Sequence, residues 1–362
     1  MIHIACFHLY NDYSGSPKVL KMVISGLLSN GYPVDLTTSR KGVLDELGEV
    51  LNYRKFFYRY HFSRNCIITL LRYLWVQLYT FIIAFRYLFI KDVVFYINTI
   101  LPIGPAFAGK LMGKPIIYHY HENAIAKGRF YRFLSWLMQK TASKIICVSA
   151  YQASFIKQSQ KVIIIPNALS KAFINQLKPD IANAYYRQNI LMISSLKKYK
   201  GITEFLSLAS DLSQYHFTLI INDNLEHIME YMSGQSQPTN LSIYPQQKNV
   251  AEYYNKASLV VNLTNKDMAI ETFGLTTLEA MAVGLPVIVP TVGGIAELVE
   301  DGVNGYKIDV QDLGKIKQII IQIFTNEELY CHLAENALLL SKKYKENNMI
   351  TSIISILNDY TE

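Results

Sequence analysis

The densest chemistry in this chain lies between Glu271 and Gly305, in the run ETFGLTTLEAMAVGLPVIVPTVGGIAELVEDGVNG. Phe273-Gly274 makes a turn, a helix is expected from about Leu275 to Val283, Gly284 stops it, and Pro286 opens a buried strand. The start of such a helix presents backbone N–H groups at Gly274, Leu275, Thr276 and Thr277. Together with the helix dipole they form an anion site that needs no charged side chain. Glu279 stands within the helix, eight positions after Glu271. A carboxylate there can accept both hydroxyls of a ribose, at about 1.5–3 kcal/mol per charged hydrogen bond. Glu271, at the mouth, can hold a sugar.

The pattern E-x-F-G-x-x-x-x-E-A-M-A-x-G-x-P-V-I, followed by G-G-x-x-E-L-V-x-D-G-x-N-G, resembles glycosyltransferase family 4. The resemblance implies the GT-B fold, two Rossmann-like doubly wound α/β domains facing across a cleft. It also implies a nucleoside diphosphate sugar donor, transfer with retention of configuration, and no metal or other cofactor. Phe273, Gly274, Leu275, Thr276 and Glu279 then become donor contacts and Glu271 a catalytic residue.

Weaker matches extend the resemblance. Where the family has G-R-L-x-x-x-K-G, this chain has Ser194-Ser195-Leu196-Lys197-Lys198-Tyr199-Lys200-Gly201. By resemblance Lys200 meets the donor diphosphate, and losing such a cation costs on the order of 3 kcal/mol of barrier. Ser195 stands where the family has Arg. Lys197 or Lys198 is the candidate substitute, without arginine's two-pronged geometry. Ser14-Gly15-Ser16-Pro17 resembles the family's glycine-rich loop, placing Gly15 and Ser16 near donor sugar and diphosphate; a helix-capping serine explains it equally. His121, in YHYHE, matches a family histidine near the transferred sugar, able to bond a hydroxyl or handle the acceptor proton. A structural histidine is the alternative. Asn167 and Asn222-Asp223-Asn224 occupy family-typical loops, and Tyr244-Pro245-Gln246 is placed beside the base.

The elements that must position these residues repeat as strand, turn and helix. Strands are expected at Ile2–His8, Val34–Thr38, Val93–Ile97, Pro115–Tyr120, Lys144–Val148 and Val162–Ile165. After a non-β stretch from Asn167 to Arg187 they resume at Ile190–Ser194, Phe217–Ile221, Leu241–Tyr244, Leu259–Leu263, Pro286–Val289 and Tyr306–Ile308. Continuous apolar strands alternating with helices predict parallel sheets covered on both faces. We therefore place an acceptor-side domain at 1–170 and a donor-binding domain at 171–340, with a helical tail from about 341 packing back on the first. Ligands bind at the carboxyl ends of such strands.

Composition bounds the rest. With 362 residues, 51% hydrophobic and 17% charged, the chain is too apolar for disorder and long enough for two cores. Its four cysteines lie far apart, which argues against a disulfide framework or zinc site and for a reducing, cytoplasmic setting. The opening MIHIACFHLYN reads as a strand and not a signal peptide. The most apolar stretch, Tyr73–Phe85, is short for a membrane span, so no crossing is expected.

One segment breaks the rhythm. From Asn52 to Lys91 there is no Asp or Glu, while Arg54, Lys55, Arg59, Arg64, Arg72, Arg86 and Lys91 alternate with aromatics. Arg72, Tyr79 and Arg86 form one helical stripe beside an apolar face with Leu74, Phe81 and Phe85. Two readings stand: a peripheral contact with an anionic membrane surface, or a core helix whose arginines snorkel to solvent. No nucleic-acid motif accompanies the charge. The functional expectation is sugar transfer to a glycan or lipid-linked glycan for a bacterial surface polysaccharide. A non-catalytic nucleotide- or glycan-binding protein, and a sugar-nucleotide epimerase of GT-B fold, are the alternatives.

Overall fold

The computed structural model describes residues 2–63 and 65–360; Arg64 lies outside them. It contains two compact units, Met1–Ala168 with Glu346–Glu362, and Leu169–Lys345.

The N-terminal unit is built on a parallel sheet of seven strands. These are β1 (His3–Phe7), β2 (Val34–Ser39), β3 (Tyr53–Tyr58), β4 (Val93–Asn98), β5 (Ile116–Tyr120), β6 (Lys144–Cys147) and β7 (Val162–Ile164), in the order β3-β2-β1-β4-β5-β6-β7. Every residue of β2, β4 and β5 is buried, as double-sided coverage requires. The helices that concern the site are α1 (Gly15–Ser29), α2 (Cys66–Ala84), α3 (Ile103–Leu111) and α4 (Arg129–Thr141). The tail helix Glu346–Asn358 packs on α1, where Gly26 leaves room for Ile350, and Tyr32 Oη donates to Asn358 Oδ1 at 2.8 Å.

The segment 52–91 does not interrupt the strand–helix rhythm after all. Tyr53–Tyr58 is the edge strand β3, in register with β2 from Val34↔Tyr53 to Ser39↔Tyr58. Its charges disguise it because they are used in packing. Arg54 forks onto buried Asp35 at 2.8 and 2.9 Å, and Tyr87 Oη donates to the same carboxylate at 2.8 Å. Burial opposes that charge, but hydrogen bonds from His3, Arg54 and Tyr87 hold the carboxyl at about 2. Arg86 stacks over Phe56 at 3.6 Å.

The apolar helix also runs longer than its sequence predicts. From Cys66 to Tyr87 it has the length and composition to cross a membrane, yet only 22% of its most apolar window is buried. It is therefore not a core helix. Its inner stripe of Tyr73, Val76, Gln77, Thr80 and Ala84 packs inward, and Gln77 Oε1 accepts from the Gly104 N–H of α3 at 2.9 Å.

The C-terminal unit carries a six-stranded parallel sheet: β8 (Asn189–Ser194), β9 (His216–Ile221), β10 (Leu241–Tyr244), β11 (Leu259–Val261), β12 (Val287–Val289) and β13 (Gly305–Lys307). The order β10-β9-β8-β11-β12-β13 reverses between β8 and β11, and in the first sheet the reversal falls between β1 and β4. These switch points are where the strand ends splay open to a ligand.

At the first switch point the carboxyl ends of β1, β4 and β5 carry a polar cluster. Asn98 Nδ2 lies 3.1 Å from His8 Nδ1, and Asn98 Oδ1 lies 3.0 Å from His121 Nε2. Tyr96 Oη sits 2.7 Å from His119 Nδ1, and the rings of His119 and His121 are 4.2 Å apart. Burial pulls His8 down to about 4 and His119 to about 3, and it holds His121 well below the ordinary imidazole range. All three are neutral at pH 7. Below about pH 6.5 the unfolded chain takes up protons that folded His8 and His119 refuse, so stability falls as the solution is acidified. We expect each of these two histidines to contribute a loss approaching 1.4 kcal/mol per pH unit between about pH 6 and 4. Urea titrations at pH 7, 6, 5 and 4 measure the slope, and His119→Gln flattens it. An unchanged slope in that variant would contradict the assignment.

Candidate donor-binding site

In the C-terminal unit, Lys200 and Glu271 come from loops at the ends of neighbouring strands. Lys200 ends a short turn after β8, closed by Lys200 N–H to the Lys197 carbonyl at 2.9 Å. Gly201 follows with φ 75°, and a side chain there would meet the Leu263 carbonyl oxygen at 2.3 Å. Only glycine lets the turn lie this close to the segment after β11. Asn265 N–H bonds the Tyr199 carbonyl at 2.8 Å and fixes the approach.

Lys200 Nζ forms an ion pair with Glu271 Oε1, both side chains being about one-fifth exposed. Thr264 Oγ1 donates to the same carboxylate oxygen at 3.2 Å. Burial opposes both charges, but each partner holds the other: Glu271 sits below the usual carboxylate range and Lys200 above the usual amine range. The backbone is gripped too. Gly294 N–H donates to the Glu271 carbonyl at 2.8 Å, and at Gly293, with φ 107°, an added Cβ would lie 2.5 Å from that oxygen. The Gly293-Gly294 pair is the clamp on Glu271.

The expected helix runs from Leu275 to Ala282 with Gly274 at its N-cap. Thr277 does not offer a free amide: its N–H donates to the Gly274 carbonyl at 3.1 Å. The amides of Gly274, Leu275 and Thr276 precede that first bond, and these three residues are partly exposed. The anion site is one donor smaller than its sequence predicts. Phe273 turns inward, 4% exposed, with its ring 5.8 Å from that of Tyr344. It is an anchor for the turn and offers a donor only its backbone.

Glu279 lies one turn into this helix and is partly exposed. Tyr254, fully buried, reaches it at 2.7 Å from Oη to Oε2. Burial and the adjoining carboxylate raise the phenol well above 10, so it remains a hydrogen-bond donor. Sequence reasoning missed Tyr254, because nothing local in AEYYNK distinguishes it from a core tyrosine. Ser195 is partly buried, whereas Lys197 and Asn222 are exposed. Asn222 N–H bonds the Ser194 carbonyl at 2.8 Å, which brings these loops together at the ends of β8 and β9. Asn224 caps the helix Leu225–Met232, so its role there is structural. Tyr244 rests on Tyr253, ring centroids 5.1 Å apart.

In the N-terminal unit, Gly15 and Ser16 open α1, and the Ser16 carbonyl accepts from Asn98 Nδ2 at 3.3 Å. Ser14 makes no side-chain cap; its hydroxyl donates to Asp12 at 2.5 Å. Asn98 thus joins the Gly15–Ser16 turn, His8 and His121 into one group. It went unrecognised in the sequence because its partners lie far from it in the chain, His8 and Ser16 after β1 and His121 after β5. Among the described residues, no group of three or more His, Cys, Asp or Glu side chains is arranged to hold a metal.

Comparison with known proteins agrees with this division. Residues 13–172 match the family model described as Glycosyltransferase Family 4, and residues 176–339 match Glycosyl transferases group 1. An uncharacterized glycosyltransferase of Methanocaldococcus jannaschii is 24% identical over 67% of this chain and 65% of its own length. The N-acetyl-alpha-D-glucosaminyl L-malate synthase of Bacillus anthracis is 29% identical over 46% of this chain and 44% of its own. The matched part of the chain thus spans less than two-thirds of either relative. Among solved structures, Anabaena HepE in complex with UDP and glucose superposes with a TM-score of 0.79 at 18% identity, over 99% of this chain and 100% of HepE. With two such models meeting at the junction of two Rossmann-like units, each with its polar residues at the strand ends, the chain belongs to the GT-B glycosyltransferases of the family 4 type.

Proposed function

We propose that the protein transfers a sugar, with retention, from a nucleoside diphosphate sugar to a glycan or lipid-linked glycan. One observation carries this reading. The open helix start at Gly274–Thr276, the Tyr254-held Glu279 and the Lys200–Glu271 pair all belong to the segments that follow β8 and β11, the strands on either side of one sheet's switch point. That set matches, in order, a diphosphate, the adjoining ribose and the transferred sugar. HepE, a structural neighbour, is seen with UDP and glucose, which supports a uridine donor.

On this reading the amides of Gly274, Leu275 and Thr276 and the charge of Lys200 bind the diphosphate. Glu279 accepts the ribose hydroxyls, with Tyr254 fixing its rotamer. Glu271 bonds the sugar while still bound by its glycine clamp. As the bond from the anomeric carbon to the diphosphate oxygen breaks, its electron pair leaves with the diphosphate, and Lys200 stabilises the charge that develops. The acceptor oxygen bonds the anomeric carbon from the same face, and its proton passes to the departing phosphate oxygen. His121, neutral and steadied by Asn98, is assigned to the transferred sugar and the acceptor proton, and the Gly15–Ser16 turn to the donor sugar and diphosphate. The surface polysaccharide role remains part of this proposal, supported by the basic, apolar character of the N-terminal unit.

A thermal-shift screen of nucleoside diphosphate sugars, followed by product analysis with and without acceptors, tests the reading. A ligand at 100 times its Kd adds about 2.7 kcal/mol to the unit that binds it. Conversion of the donor alone into an epimer would reject it, as would binding without transfer on a broad acceptor panel. Glu279→Gln is expected to raise the donor KM by about tenfold to a hundredfold, with kcat changed less. Lys200→Ala is expected to lower kcat by about a hundredfold or more. Tyr254→Phe removes only a positioning contact and should raise donor KM by about threefold to tenfold at unchanged kcat.

The pH profile follows from the ion pair. Glu271 keeps its charge until the pH falls through its lowered value, and Lys200 keeps its charge until the pH rises through its raised one. Neither contributes a limb between about pH 6 and 9, so kcat/KM should be flat there. A limb in that window that disappears in Lys200→Met would show that the pair titrates within it.

A further inference from the structure

The N-terminal unit carries a surface that the sugar-transfer chemistry does not use. Along α2, Ile67, Leu70, Leu71, Leu74, Trp75, Leu78 and Ile82 are all exposed by 48–68%. A helix of this length, about 28 Å, does not ordinarily present such a stripe to water. α3 packs against both α2 and α4, and Tyr73 of α2 meets Phe130 of α4 with ring centroids 5.8 Å apart. The outward side of α4 repeats the pattern. Phe130, Phe133 and Trp136 are exposed there beside Arg129, Arg132 and Lys140, while Leu134, Leu137 and Met138 face the core.

Charge selects what covers this surface. Between Val50 and Pro179 the chain has eighteen Lys and Arg against two acids, Asp92 and Glu122, and Glu122 is buried. The remainder of the chain is net acidic, with seventeen basic and twenty-six acidic residues. An apolar, aromatic face ringed by one sign of charge complements an anionic lipid bilayer. A second copy would set this cationic surface against itself.

We propose that the α2–α3–α4 face seats the protein on an anionic membrane surface, its aromatic and aliphatic side chains entering the headgroup layer and its arginines and lysines meeting the lipid charge. The helix lies on the bilayer and does not span it, because its inner stripe is spent on the fold. Tyr73 Oη donates to the Leu101 carbonyl at 2.8 Å, Gln77 holds Gly104, and Tyr87 holds Asp35. The Tyr73–Leu101 bond also puts the amino-terminal half of α2 beside the loop that follows Asn98. An acceptor anchored in the same bilayer therefore arrives at the strand ends that carry Asn98 and His121. That last step rests on the sugar-transfer reading; the docking itself does not.

The chain carries its own probes, since its two tryptophans, Trp75 and Trp136, both lie on this face, 67% and 53% exposed. With vesicles of phosphatidylglycerol and phosphatidylcholine, and no donor sugar, tryptophan emission should shift to the blue. Brominated acyl chains should quench it, and the protein should float with the vesicles. Pure phosphatidylcholine vesicles and high salt should weaken binding by tenfold or more. Trp75→Phe and Trp136→Phe should each leave a remaining tryptophan that is still quenched. The double variant Arg129→Glu with Arg132→Glu should lower partitioning by at least tenfold, while its thermal transition and its binding of nucleoside diphosphate sugars stay unchanged. Absence of any vesicle binding at low salt would overturn the proposal, as would quenching of one tryptophan only. So would a lipid-free, concentration-dependent dimer that buries both tryptophans. Vesicle binding without sugar transfer would leave the docking standing and reject only the catalytic reading.

Discussion

The site in the C-terminal unit depends on one ion pair, Lys200 with Glu271, held at the edge of solvent by two glycine-dependent close approaches. Taking two opposite charges partly out of water rarely stabilises a fold, because desolvation offsets most of the attraction. Here the surroundings are built to keep both groups charged nonetheless. Thr264 bonds the carboxylate, Gly294 bonds the carbonyl of the same residue, and Gly201 brings the lysine turn against Leu263. A pair with this much support and this little stabilising value makes sense as preorganisation. The cation and the carboxylate wait at fixed positions, so binding an anion and a hydroxyl-bearing ligand requires little rearrangement of side chains or backbone.

The same economy recurs at Glu279 and at Asn98. A lone glutamate on an exposed helix turn samples several rotamers, and Tyr254 removes that freedom from one side. Asn98 does the equivalent work for a set of imidazoles. Its amide contacts His8, the Ser16 carbonyl and His121, so three loops that meet at the end of one sheet share one reference point. Because burial keeps those histidines neutral, each ring presents one donor and one acceptor nitrogen to its neighbours.

What could be read without coordinates follows from what is local. The turn, helix and stop around Gly274 and Gly284 are encoded within a dozen residues, and so are Lys200 before Gly201 and the alternation of strand and helix. The supporting residues are not local. Tyr254 and Glu279 are joined only by the packing of one helix on another, and Asn98 acquires meaning only when β1, β4 and β5 align. β3 was hidden for a different reason. Its Arg54 and Lys55 look like solvent residues until Asp35, buried on the neighbouring strand, gives Arg54 a partner. The fourth donor amide, at Thr277, was lost to a turn bond with Gly274 that depends on how the helix begins.

The apolar helix shows most clearly where composition stops being informative. A core helix of a doubly wound domain and a helix that rests on lipid can have the same residues in the same order, since both are apolar around most of their circumference. What separates them is which residues the rest of the chain covers. In α2 the covered ones are the more polar stripe, with Gln77, Thr80 and the Tyr73 hydroxyl among the packed groups. The leucines, Ile67, Ile68, Ile82 and Trp75 are left outside. Burying polar groups while exposing apolar ones inverts the usual arrangement, and it is the arrangement expected of a helix that rests on lipid.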